Sequence, residues 1–260
     1  MIHGSRDPRP ALAVSDLAQL FAERIRHQPH SGETAVALVD LGQERSIPAV
    51  LTPPEILVGT ASLECHPLRL HEQILEFWRS RSQDSQGRLV ILPLFLLPGV
   101  HVMQDIPEEI ALAQAALGRS VEIQTRPHLG SHPGLRRLLN ERTANQPLEA
   151  WILLAHGSRR PGANQPIAAL ADHLGAVSAY WSVSPNLETQ VQELSQQGLT
   201  RIGILPYFLF PGGITDAIAR SVATLVDQHP ELHLHLAEPL QASSELADLL
   251  LDLAQDQNVN

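Results

Sequence analysis

The chain has 260 residues, with 18 basic and 28 acidic side chains and a formal net charge of -10. That balance argues against a nucleic-acid partner, because neutralising phosphates needs clustered Lys and Arg. A hydrophobic content of 43% suffices for a packed core, and the single cysteine, Cys65, excludes an internal disulfide. The longest apolar run, "LVILPLFLLPGVHV" from Leu89, is too short and too Pro-interrupted to span a bilayer. No apolar leader opens the sequence, so the expectation is a soluble, cytoplasmic protein with no membrane contact.

The sequence opens "MIHGSRDPRP", with His3-Gly-Ser-Arg almost at its start. The same tetrapeptide returns at His156 in "WILLAHGSRRPG". Between them lies "HSGETAVALVDLGQERSIPAVLTPP", a Pro- and Gly-punctuated insertion with no counterpart in the second half and no assigned role. "ASLECHP" follows with Glu64, and His66 and His71 fall on a helix after it. "VILPLFLLPGVHVMQDI" from Val90 lines up with "GILPYFLFPGGITDAI" from Gly203. "VEIQTRPHLGSHPGLRRLL" from Val121 lines up with "LHLAEPLQASSELADLL" from Leu234. Self-similarity of this kind marks a tandem duplication. The polar junction "ERTANQPLE" divides the chain into residues 1–149 and 150–260.

The second half reads most cleanly. "AWILLA" is a buried strand and "NQPIAALADHLG" an amphipathic helix stopped at Gly175. "AVSAYWS" is a strand, "NLETQVQELSQQG" a helix closed by Gly198, and "RIGILPYFLF" a strand. A helix over about 214–227, the strand "LHLHLAE" and the helix "SSELADLLLDLAQ" complete it. Alternating strands and helices predict two tandem α/β/α domains, each with a mainly parallel central sheet. Ligands in such sheets bind at the carboxyl edge of the strands.

His3, Glu64 and His101 are expected at three strand ends of the first half. Two imidazoles and a carboxylate suit a borderline divalent ion such as Co²⁺, Fe²⁺, Ni²⁺ or Zn²⁺ and leave coordination positions open. The competing reading makes them loop histidines bonded to backbone and a solvated charge. The aligned positions of the second half carry His156, Ser182 and Ile214. The shared frame therefore accepts an apolar residue where the first half has His101, and the second half keeps one ligand type of three. His128 and His132 flank a helix start with Ser131 as candidate N-cap, His233 and His235 lie on the polar face of a strand, and Cys65 is expected as a small apolar filler.

"HGSRDPR", "LE-HP" and "PLFLLPGVHVMQDIP" together resemble the CbiX and SirB class of sirohydrochlorin chelatases, in its long two-domain form. The resemblance implies a flavodoxin-like fold in each half and insertion of Co²⁺ or Fe²⁺ into sirohydrochlorin, with Ni²⁺ a third candidate. The pathway would be siroheme or cobalamin biosynthesis. No cofactor is implied beyond the divalent metal substrate. The implied metal ligands are His3, Glu64 and His101, and the second half would be catalytically degenerate. Sirohydrochlorin carries eight carboxylates, so local donors must overcome the chain's negative charge. Ser5, Arg6 and Arg9 beside the first His-Gly, and His156, Ser158, Arg159 and Arg160 at the second, are the candidates. They are expected on two loops facing a common cleft.

Two other functions compete. A non-catalytic metal- or tetrapyrrole-binding module would use the same residues. A histidine-phosphatase-like hydrolase also places His-Gly after a first strand, but wants Arg directly before the His, where this chain has Ile2 and Ala155. One expectation concerns the start. "WILLA" supplies a whole strand before His156, whereas only Met1 and Ile2 precede His3, and two residues span about 7 Å. Either a central strand lies upstream of the sequence or the first half manages with a stub.

Overall fold

The computed structural model describes residues 7–26, 34–40, 56–80, 87–144 and 146–255. Among these residues two four-stranded parallel sheets form. The first contains β1 (Thr34–Asp40), β2 (Ile56–Ser62), β3 (Gly87–Pro93) and β4 (Val121–Thr125), in the order β2-β1-β3-β4. The second contains β5 (Ala150–Ala155), β6 (Val177–Tyr180), β7 (Arg201–Pro206) and β8 (His233–Leu236), in the order β6-β5-β7-β8. Both sheets have the predicted α/β character, and the matching orders express the duplication. Backbone bonds repeat too. Leu94 N–H donates to Val39 O, as Tyr207 N–H does to Leu154 O, each at 2.8 Å.

That correspondence corrects the expectation for the first half. β1 pairs with β2 on one side and β3 on the other, the place β5 holds in its own sheet. The strand in that place comes from the insertion, from "TAVALVD". Seven residues apolar almost throughout suit a parallel strand covered on both faces. Its partner β2 is likewise buried along most of its length.

In the first unit, helix α1 (Arg9–Arg26) buries Val14, Leu17, Ala18, Phe21, Ala22 and Ile25. Helices α2 (Leu70–Arg79) and α3 (Ile106–Leu117) form the other layer. Leu70, Ile74, Ile106 and Ala113 join Ala37, Val39, Leu89 and Ile91 in one core. Residues alternating with these along the strands, Val36, Leu38, Val90 and Leu92, are equally buried. In the second unit, α6 (Leu187–Gln196) and α7 (Gly213–Gln228) cover one face through Val191, Leu194, Ile218, Val222 and Leu225, packed on Ile152, Leu154, Ile202 and Ile204. Helix α5 (Gln165–His173) buries Ile167 and Ala171.

The packed units do not follow the repeat boundary. One comprises Met1–Leu135 with Ala242–Asn260, the other Arg136–Gln241. Helix α8 (Ser244–Gln255), encoded at the end of the second repeat, lies against α1 of the first unit. There Asp248 accepts from Arg24 at 2.6 Å, and Ala254 O from Arg126 at 3.2 Å. Helix α4 (Pro133–Ala144), encoded in the first repeat, sends Arg142 to the carbonyls of Glu238, Pro239 and Leu240 in the second unit. No helix among the described residues is long and apolar enough to cross a membrane.

Candidate metal centre

Glu64 follows the carboxyl end of β2, on the Leu63–Arg69 turn that leads into α2. His101 follows β3 after Leu94–Val100. That approach is braced from the β4 side. Gly130 N–H donates to Phe95 O at 2.8 Å, and His128 Nδ1 donates to the same oxygen at 3.0 Å. Burial pushes the His128 imidazole below its ordinary value, against the opposing effect of this bond, so the structural role expected for it holds. A Cβ on Gly130 would meet Leu96 O at 1.9 Å, a backbone clash that no rotamer relieves.

His101 opens a single π-turn, His101–Asp105, in which Ile106 N–H reaches back to His101 O. Such turns recur at functional sites because the added residue redirects side chains. Here His101 Nε2 lies 3.9 Å from Glu64 Oε1, and Nδ1 lies 2.6 Å from Asp105 Oδ2. With Nδ1–H donating to the Asp105 carboxylate, the Nε2 lone pair faces Glu64. Metal bonds of about 2.0–2.2 Å to each atom fit within that gap, and a tetrahedral angle needs it about half an ångström shorter. His101 and Glu64 keep 30% and 39% of their side-chain surface exposed, which leaves an approach for an ion.

Of the predicted ligand set, the structure brings Glu64 and His101 together. His3, with Ser5 and Arg6, lies outside the described residues. No group of three or more His, Cys, Asp or Glu able to hold a metal forms among the described residues. Arg9 is engaged by Asp7, whose carboxylate accepts Arg9 Nε at 3.0 Å. Arg159 and Arg160 are exposed.

In the second unit His156 follows β5, with its Nδ1 2.9 Å from Gly157 O and 3.5 Å from Ser182 Oγ. Ser158 N–H donates to Asn164 Oδ1 at 2.9 Å. Ile214 packs against the second core. Serine and isoleucine therefore stand where the first unit has its carboxylate and imidazole.

Several sequence readings need correction. Cys65 is exposed and no apolar filler. Ser131 does not cap α4: its hydroxyl donates to His128 O, and His132 Nδ1 accepts the Gly134 N–H at 3.0 Å instead. His71, expected on a helix, lies on α2 and is half-buried. Its N–H and Nδ1 meet Glu109 Oε2 at 3.0 and 2.7 Å, and Arg69 pairs with the other oxygen. Asp105 was missed altogether, though its place four residues after His101 was a readable signal.

The Glu109 cluster ties α2, which follows Glu64, to α3, which follows His101. Burial works to raise the Glu109 carboxyl. Hydrogen bonds from His71 backbone, His71 side chain and Arg69, with the charge of Arg69, outweigh it and hold the group below its usual 4.5. A carboxyl lowered on folding contributes stability above its unfolded pKa and loses it as pH falls through the folded one. Glu109→Gln is therefore expected to cost stability near neutral pH, with the difference from the parent shrinking in acid, below about pH 5. Urea unfolding across that range measures it. A difference independent of pH would contradict the ionised cluster.

Comparison with known proteins separates fold from function. The CbiX family model matches residues 54–146 and again 150–257. The chain belongs to the CbiX family. The first CbiX match begins after β1, so Glu64 and His101 lie within it and His3 does not. A sirohydrochlorin cobaltochelatase of Priestia megaterium is 26% identical over 217 residues, 77% of this chain and 69% of the relative. A sirohydrochlorin ferrochelatase of Bacillus subtilis is 27% identical over 180 residues, 64% of this chain and 69% of the relative. Among solved structures, SirB from Bacillus subtilis with Fe³⁺ superposes with a TM-score of 0.67 at 19% identity, covering 86% of this chain and 95% of that one. At that identity the superposition speaks for the fold alone.

Proposed function

We propose that this chain inserts a divalent metal, Co²⁺ or Fe²⁺, into sirohydrochlorin in the cytoplasm, with no cofactor beyond the metal substrate. The observation that carries the reading is Glu64, His101 and Asp105 gathered at the carboxyl edge of a CbiX-type sheet. The two similar proteins named for this reaction add to it.

The chemistry asks for three things. The ion must shed water, it must be held beside the macrocycle, and two pyrrole N–H protons must leave as it enters. Glu64 supplies negative charge that offsets the loss of hydration. His101 supplies a nitrogen ligand, oriented by Asp105 and able to accept a proton after the metal leaves it. His3 is the third ligand in this reading. An incomplete shell keeps the ion transferable, whereas a closed four-ligand cage would retain it. Local hydrogen-bond donors, rather than the chain's net charge, receive the carboxylates.

The test is an anaerobic absorption assay with sirohydrochlorin and each metal. Conversion to the metallated spectrum above the uncatalysed rate supports the proposal. Tetrapyrrole binding with no turnover would replace it with the binding-module reading. His156→Ala is expected to cost much less turnover than His101→Ala. Equal losses would assign the second unit a share of the chemistry.

A further inference from the structure

We infer that Gln73 is a positioning residue for the metal centre, holding Glu64 where it can share an ion with His101. This rests on the proposed chelatase reading. Gln73 lies in the first turns of α2 and is 5% exposed. Its Oε1 accepts the Ser62 N–H at 2.9 Å, and its Nε2 donates to Ser62 O at 2.7 Å and to Leu68 O at 2.9 Å. Ser62 ends β2 and Leu68 precedes α2. One buried amide thus pins both ends of the turn that carries Glu64. Within it Cys65 sits at φ 61°, a left-handed conformation that residues other than Gly seldom hold without support.

A buried glutamine must satisfy its amide somewhere, so the bonds alone prove little. The duplication provides the control. Gln190 stands at the same place on α6, between Leu187 and Val191 as Gln73 stands between Leu70 and Ile74, and it is 8% exposed. There Nε2 donates to Glu193 Oε2, one turn along its own helix, at 2.8 Å. The preceding loop is closed by its own backbone, with Tyr180 N–H on Pro185 O at 2.8 Å and Ser182 N–H on His156 O at 2.9 Å. The fold can therefore pass from strand to helix here without a glutamine across the turn. The clamp is found in the unit whose turn carries a carboxylate, and not in the unit that carries Ser182 in its place.

The test is Co²⁺ binding to the whole protein, by calorimetry and by the visible absorption of bound cobalt, in a double-mutant cycle. Gln73→Leu removes all three bonds. Gln73→Glu keeps an acceptor for Ser62 N–H, loses both donors, and serves if the leucine variant folds poorly. Each is expected to weaken Co²⁺ binding about 10–100-fold, the usual cost of losing an outer-shell partner, and to alter the cobalt spectrum. In a Glu64→Ala background neither is expected to weaken binding further. Equal losses in both backgrounds would make Gln73 a structural residue only, and unchanged affinity in the parent background would also overturn the inference. Failure of the ligand reading looks different: Glu64→Ala itself would then bind Co²⁺ as the parent does, and both proposals would fall together.

Discussion

His101→Ala is expected to remove nearly all metal insertion while leaving the circular dichroism spectrum unchanged. The loss should exceed the roughly 10–100-fold that follows removal of an outer partner, because the ligand atom itself is gone. The fold should tolerate it. His101 is part-exposed, it opens a π-turn whose bond to Ile106 is made by backbone, and Ile214 fills the matching place in the second unit. Turnover near that of the parent, from a folded variant, would exclude His101 as a ligand.

The second large effect concerns stability. Leu250 is fully buried in α8, beside Leu246, Ala247, Leu249, Leu251 and Leu253, which are buried too. Leu250→Ala removes buried surface and leaves a cavity, at a cost of about 2–5 kcal/mol. Against a total of about 5–15 kcal/mol for a domain, that is a large fraction. The loss should fall on the first unit, although the residue is encoded in the second repeat. Gly134, in the same unit, would place a Cβ 2.5 Å from Leu249, so the helix fits closely there. Amide exchange is expected to accelerate in β2 and β3 and to change little in β5 and β7. The reverse pattern would return α8 to its own repeat.

Much of this architecture could be read from residues alone, for a physical reason. β5 and β7 are central parallel strands, so "AWILLA" and "RIGILP" are apolar runs rather than alternating ones. Gly175 and Gly198, at φ 63° and 84°, mark two helix ends. β1 carries the same kind of run in "TAVALVD", but His3-Gly-Ser-Arg directed the search for the central strand to the residues before it. The placement of α8 was not legible, because an amphipathic helix declares that it has an apolar face and not which sheet will cover it. Glu64 and His101 were singled out by their place at strand ends and by the family resemblance, and the duplication favoured a special role for His101, since Ile214 fills the matching place in the second half. Asp105 carried a spacing signal that went unread. Gln73 carried none, since a glutamine that bonds to backbone across a turn looks, in sequence, like any polar residue on a helix.

The most direct measurement is anomalous scattering at the cobalt edge from crystals grown with Co²⁺. The account predicts a cobalt peak bonded to His101 Nε2 and Glu64 Oε1, at about 2.0–2.2 Å from each, with Asp105 still on Nδ1. A cobalt bound elsewhere, with Glu64 and His101 both free of it, would contradict the account at its centre.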